Sequence, residues 1–231
     1  MGPAVADALA SRGARVAVAY RQSAEEAAAV VRATQAHGRD AFMFQTDVSS
    51  ESGVEALMAE VSARFGRLDV LVNMASLYRK TAFPALSLAE WRLQIGVDLE
   101  GTFLLCRAAV PLMQRSGGGR IINFTDWIAA SGRPRYREYV AYYVAKAGVK
   151  ALTEALALEL ASDGILVNAI APGPILAPDD TSVDERAAVE RATPLGRWGG
   201  AEEIAKAVVA LVDSDFITGE TIRVDGGRHV Y

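Results

Sequence analysis

Short β-branched runs alternate with longer helical patterns along the whole chain, and this alternation limits the fold more than any other feature. The runs are Arg15–Tyr20, Ala41–Gln45, Val70–Val72, Arg120–Phe124, Leu166–Ile170 and Thr221–Val224. Between them lie helical patterns over Pro3–Arg12, Ala24–His37, Ser50–Phe65, Leu88–Met113, Tyr142–Ala161 and Ala201–Leu211. Strands separated by helix-length connections cannot pair as hairpins; they pair in parallel, with the connecting helices covering both sheet faces. An α/β doubly wound parallel sheet is therefore expected, with any ligand lying beyond the carboxyl ends of the strands. The 231 residues contain no linker, repeat or low-complexity stretch, so a single domain over 1–231 is expected.

Composition excludes several classes. A net charge of −4, from 24 Lys and Arg against 28 Asp and Glu, gives no basic footprint for nucleic acid. No apolar run reaches the roughly 18 residues of a membrane span, and Met1-Gly2-Pro3 leads straight into an Ala-rich amphipathic segment without a signal-peptide pattern. The single cysteine, Cys106, lies in an apolar helical run and reads as a small core residue, which suits a reducing cytoplasm. The two histidines, His37 and His229, are remote in sequence and lack cysteine companions, so no metal site is expected. The Tyr142–Ala161 segment is apolar almost all round, which calls for burial on more than one side; a homo-oligomer, dimer or tetramer, is expected.

Tyr142 and Lys146 are the chemistry-bearing pair. Four apart on a helix, they project to one side, and an ammonium beside a phenol lowers the phenol pKa from about 10 toward the range of a usable proton donor. Four further motifs accompany them in order: Asp47-Val48, Asn73-Met74-Ala75-Ser76, Pro172-Gly173, and the closing Val224–Gly227. Together these resemble the short-chain dehydrogenase/reductase family, from the first helix to the C-terminus.

That resemblance implies a Rossmann-type oxidoreductase in which Tyr142 delivers a proton while reduced nicotinamide delivers hydride. Lys146 would hold the ribose hydroxyls. Asn73, Ala75 and Ser76 would line the cofactor cleft, Asp47 with Val48 would meet adenine, and the backbone after Pro172 and Gly173 would meet the nicotinamide carboxamide. The second strand of the family pattern ends here in Tyr20-Arg21-Gln22-Ser23, with no acid for a ribose hydroxyl; Arg21 and Ser23 suit a 2′-phosphate, so NADP (NADPH) is the expected cofactor. Ser23 also sits where a cap for the helix at Ala24 is expected.

Four departures from the family pattern refine these expectations. Asn123-Phe124-Thr125-Asp126 places Asp126 where the family carries its catalytic serine. With Ser76 and then Tyr78, this is similar to pteridine reductases, in which an Asp and the Tyr protonate a ring nitrogen and an aromatic residue stacks on the pterin. The leading expectation is an NADPH-dependent reductase of a pterin or dihydrofolate-like imine or a carbonyl. The alternatives are a general carbonyl reductase, such as a 3-oxoacyl carrier protein reductase with Thr125 or Ser131 as hydroxyl donor, and a non-catalytic scaffold. The Ser131–Arg137 segment makes the stretch before Tyr142 three residues longer than the pattern.

Asp98 replaces the usual Asn, and its charge would oppose acidification of Tyr142. The family's first strand and most of its glycine loop have no counterpart ahead of Gly2. Poor NADPH binding is expected of the chain starting at Met1, as is a gap or rearranged pairing beside Arg15–Tyr20, with an extra strand and loop in the functional protein. The acidic stretch Pro174–Arg197, with Asp179, Asp180, Asp184 and Glu185, resembles a substrate lid.

Overall fold

The computed structural model describes residues 1–178 and 181–230, so Asp179 and Asp180 of the acidic stretch lie outside the described residues. In chain order the elements are α1 (Gly2–Ser11), β1 (Val16–Tyr20), α2 (Ala24–Ala36), β2 (Ala41–Gln45), α3 (Glu51–Phe65), β3 (Val70–Asn73), α4 (Leu88–Ile95) and α5 (Gly101–Arg115). There follow β4 (Gly119–Phe124), α6 (Trp127–Ser131), α7 (Val140–Glu159), β5 (Ile165–Pro172), α8 (Val183–Arg191), α9 (Ala201–Asp213) and β6 (Thr221–Val224). All strand pairs are parallel. The architecture is the α/β Rossmann type.

Alternation along β4 and β5 builds two cores. Ile121 and Val167 face Val54, Leu105, Met113 and Ala157 of α3, α5 and α7. Ile122 and Ile170 face Val5 of α1 and Ile204, Val208 and Leu211 of α9. Strand residues of opposite parity thus serve opposite layers, as a two-residue period requires. The register aligns Asn73 with Asn123, and Phe124 with Ile170, so the loops after β3, β4 and β5 open at the same edge. Gly173 closes that edge tightly: a Cβ there would stand 2.5 Å from the Asp225 Cβ, so a side chain would drive the loop after β5 off the end of β6.

Three local expectations are corrected. The helical pattern Leu88–Met113 is interrupted by a π-turn over Gly96–Glu100, where Gly101 N–H reaches the Gly96 carbonyl. Ser23 occupies the cap position of α2, but its hydroxyl makes no cap bond. Two helices, α6 and α8, had no signal in the hydrophobic pattern: α6 is five residues long, and α8 is polar and buries no residue. The Pro174–Arg197 segment is thus partly helical, with Asp184 and Glu185 in the first turn of α8 and Glu185 closing a capping box with Ser182.

The strands do not form one sheet. β1 pairs only with β2, while β3, β4, β5 and β6 form a separate ladder in that order. This gap lies beside β1, where the sequence led to one being expected. Val16 N–H bonds the Asp40 carbonyl on the β2 side, so the alternate N–H groups of Ala17 and Ala19 point away from β2. By the same alternation, Arg120 N–H on the Asp69 carbonyl leaves Val70 and Val72 directed away from β4. Ladder amides exchange only on opening, whereas unbonded ones need none. We expect the amides of Ala17, Ala19, Val70 and Val72 to exchange with deuterium at least about a hundredfold faster than those of Ile122 and Ile170, as the absence of a ladder bond implies. Equal protection, measured by hydrogen-exchange NMR, would show that the two sheets are joined.

Candidate active site

The carboxyl ends of β3 and β4, the π-turn and the first turns of α7 converge on Tyr142. Its hydroxyl donates to Asp126 Oδ2 at 2.9 Å. Asp126 follows β4 and caps α6, its Oδ1 accepting from Ile128 N–H at 2.9 Å. One turn on from Tyr142, Lys146 is 2% exposed and donates to the Phe124 carbonyl at 3.0 Å, while its Nζ lies 3.0 Å from Asp98 Oδ1. Asp98 is wholly buried. Ser76 Oγ and Leu77 N–H also donate to it, the latter at 3.0 Å, together with Gln94 Nε2 at 2.7 Å.

The electrostatics differ from the simple tyrosine–lysine expectation. Burial lifts the Tyr142 hydroxyl well above its ordinary range, and the carboxylates of Asp126 and Asp98 push in the same direction. Burial likewise raises Asp126, against the lowering effects of Ile128 N–H, the Tyr142 hydroxyl and Lys146. Tyr142 thus holds a proton directed at the Asp126 carboxyl, and a positioned group that carries a transferable proton is what general acid catalysis needs.

An aromatic wall leads away from the pair. Tyr78 stacks on Tyr139 at 4.7 Å and meets Tyr142 edge-on at 5.1 Å. Tyr136 continues it at 6.1 Å from Tyr139 and 6.0 Å from the buried Trp127. Glu138, with a φ of 71°, makes the turn that brings Tyr139 onto Tyr78, and its carbonyl accepts from Thr81 N–H at 2.7 Å. The sequence reading missed Tyr136, Tyr139, Trp127 and Gln94. The three-residue spacing of Tyr136, Tyr139 and Tyr142 was the available signal for two of them.

Other expected residues stand elsewhere. The Asn73 side chain turns into the core rather than a cleft, donating to Asn123 Oδ1 at 2.9 Å and to Cys106 Sγ at 3.3 Å. Burial pushes that thiol up to about 12. Thr125 and Ser131, the substitute hydroxyls, are spent on the carbonyls of Lys146 and Trp127 at 2.7 and 2.6 Å. Ala75 and Ser76 are exposed, Val48 packs under Gly101, and Gly173 donates to the Val224 carbonyl at 2.9 Å beside Pro172.

The residues suit a dinucleotide. Asp47 lies 3.6 Å from Arg21 beyond the ends of β1 and β2, and is held below the usual carboxylate range first by the Ser49 hydroxyl, then by Ser49 N–H. Lys146 has three N–H donors and two acceptors, leaving one for a ribose hydroxyl. Gly2 opens α1, whose first turn no side chain caps.

The family described as enoyl-(acyl carrier protein) reductase matches residues 1–229. The 3-oxoacyl-[acyl-carrier-protein] reductase FabG of Staphylococcus aureus is 39% identical over 234 residues, covering 100% of this chain and 94% of that protein. The 3beta-hydroxysteroid dehydrogenase 1 of Eggerthella lenta is 37% identical over 238 residues, covering 100% and 90%. Among solved structures, acetoin dehydrogenase from Enterobacter cloacae superposes with a TM-score of 0.89 at 37% identity, over 99% of this chain and 91% of that one. The chain belongs to the short-chain dehydrogenase/reductase family. It is an NAD(P)-dependent oxidoreductase of that family.

The raised Asp126 gives a pH-dependent stability. Between 3.8, the ordinary carboxyl value, and its higher folded value, the unfolded chain releases a proton that the folded chain retains. Stability contributed by this group is complete below 3.8 and is lost as pH rises through the folded value. Asp126→Asn keeps an N-cap acceptor but cannot ionise. Its melting temperature relative to wild type should therefore be higher at pH 8 than at pH 4.5. A difference independent of pH, in thermal melts at both, would contradict the assignment.

Proposed function

We propose that the protein reduces a substrate carbonyl with NADPH, Tyr142 supplying the proton and Asp126 acting with it where relatives' machinery carries a hydroxyl. The observation that carries this reading is the 2.9 Å Tyr142–Asp126 hydrogen bond one helical turn from Lys146. NAD(P)H, when bound, supplies hydride to the electrophilic carbon. The Tyr142 proton passes to the carbonyl oxygen, and Asp126, in hydrogen-bond contact with Tyr142 Oη, is the group that would relay a proton from solvent back to the phenolate left behind. Relatives bearing on the substrate are named for 3-oxoacyl carrier protein, hydroxysteroid and acetoin chemistry, all carbonyl–alcohol interconversions. They favour a ketone, a 3-oxoacyl thioester first, over the pterin imine initially expected.

NADPH over NADH is supported by Arg21 at the end of β1 and by the lack of an acid from Tyr20 to Ser23. Asp47 with Val48, Ser76, and the loop after Pro172 and Gly173 belong to the same reading as cofactor contacts, together with Gly2 and Ser23. We also read the chain as one domain, cytoplasmic, and a homo-oligomer. Val144 and Leu158 of α7 are 42% and 84% exposed, as a covered helix face requires, and no described helix is long and apolar enough to cross a membrane.

The pterin reading keeps one specific support. Asp126 touches Tyr142, and Tyr78 stands edge-on to the same ring, an arrangement suited to protonating a flat ring nitrogen. One face of Tyr78 is, however, already stacked on Tyr139. NADPH consumption should be faster with an acetoacetyl thioester than with dihydrobiopterin; the opposite order would put the imine first. Tyr142→Phe should lower turnover on the better substrate about 10²–10⁴-fold, the usual worth of general acid catalysis, while leaving NADPH binding nearly unchanged. A Phe variant keeping more than about a tenth of wild-type turnover would remove Tyr142 from the role of proton donor.

A further inference from the structure

The π-turn carries the only buried carboxylate, among the described residues, that binds both the site lysine and a substrate-side loop. Four donors converge on Asp98: Ser76 Oγ and Lys146 Nζ on Oδ1, Leu77 N–H and Gln94 Nε2 on Oδ2. That fills the roughly four lone-pair positions of a carboxylate. The backbone is built for this placement. The Asp98 carbonyl accepts from Thr102 Oγ1 at 2.7 Å. Gly148 lets α7 close on the turn, since a Cβ there would lie 2.7 Å from Leu99 Cδ2. Gln94 clamps the Leu77 carbonyl at 2.7 Å while bonding Asp98, so the loop is gripped by both its N–H and its C=O.

We propose that Asp98 is a positioning residue that pairs with Lys146 so as to hold Tyr142 in its protonated form, and that ties the Tyr78 loop to the same pair. The proposal rests on Tyr142 being the proton donor in the reaction proposed above.

The charges facing the pair make the argument. Tyr142 faces Asp126 from the end of β4, Asp98 from the π-turn, Lys146 from its own helix, Tyr78 from the loop after β3, and Tyr139 from the segment before α7. Lys146 faces Asp98, Asp126 and Tyr142. One ammonium thus stands against two carboxylates. Lys146, contacting Asp98 directly and the Tyr142 ring only at 5.8 Å from its centroid, spends its charge on the former. A tyrosine in such surroundings enters the reaction carrying its proton, the form from which a carbonyl oxygen receives one. The same carboxylate anchors Ser76 and Leu77, so the loop bearing Tyr78 cannot shift without disturbing Lys146.

The test is an alkaline titration of tyrosinate by ultraviolet difference spectroscopy, assigned to Tyr142 by subtraction. Wild type is compared with Tyr142→Phe, and Asp98→Asn with the double variant D98N/Y142F. Asn keeps the size and an acceptor for Leu77 N–H but removes the charge. Ionisation of Tyr142 in D98N should move down by at least about one pH unit, a tenfold change in its acid constant. Equal midpoints in the two subtractions would overturn the proposal. Ser76→Ala, which leaves the charge in place, should not move that midpoint but should speed hydrogen exchange at the Leu77 amide; unchanged exchange would sever the loop from the proposal. Should D98N not fold, NMR of the wild-type lysine ammonium protons decides: slow exchange at Lys146 supports the pair, and solvent-like exchange overturns it. None of these readouts uses turnover, so failure of the proposed reaction shows separately, as absence of NADPH consumption in an otherwise folded protein.

Discussion

A lysine buried as deeply as Lys146 is tolerable only where a carboxylate and a carbonyl meet its ammonium, and much of the site is arranged around that requirement. The Phe124 carbonyl comes from the last residue of β4, the Asp98 carboxylate from a turn inserted into the α4–α5 helix, and Lys146 itself from α7. Three elements remote in sequence are drawn together at one point. Removing one partner of such a pair leaves an uncompensated buried charge, typically at about 3–5 kcal/mol, a large part of a domain's 5–15 kcal/mol. The π-turn is therefore structural as well as chemical, since it carries the carboxylate that meets the ammonium.

Around this point the protein has exchanged one kind of site for another. Where a hydroxyl beside the tyrosine would leave the lysine as the dominant charge, Asp126 and Asp98 make the surroundings acidic. The result is a tyrosine that keeps its proton and a neighbouring carboxyl raised by burial. Such a pair suits delivery of a proton to a developing oxyanion or to a ring nitrogen. The commitment of the Thr125 and Ser131 hydroxyls to helix carbonyls leaves Asp126 as the group in hydrogen-bond contact with Tyr142.

Stability in the four-stranded ladder and activity at its edge are coupled. Ile121, Ile122, Val167 and Ile170 lock the β4 and β5 positions between two helix layers, and the strand ends then hold Phe124, Asp126 and Gly173 in place. The separate β1–β2 pair ends just before Arg21 and Asp47, so these two residues rest on a piece of sheet that is not hydrogen-bonded to the piece that leads into Asp126.

The sequence by itself determined the layered α/β architecture, because strand-length and helix-length apolar periods cannot be exchanged without exposing the core. It also determined that Tyr142 and Lys146 share a helix face, a local matter of spacing, whereas Asp126 was tied to them only through the resemblance of Asn123–Asp126 to the family pattern. Only the tertiary structure decided what those groups feel. The burial that raises Tyr142, the turn of Asn73 into the core, the break between β1 and β3, and the Tyr139 stack on Tyr78 all depend on strand register and on which segments meet in space. The Asp98–Lys146 contact shows the division most clearly. A negative residue 48 positions upstream is visible in the chain, but its direct grip on the ammonium needs the π-turn and α7 to meet in space, beyond the reach of local sequence.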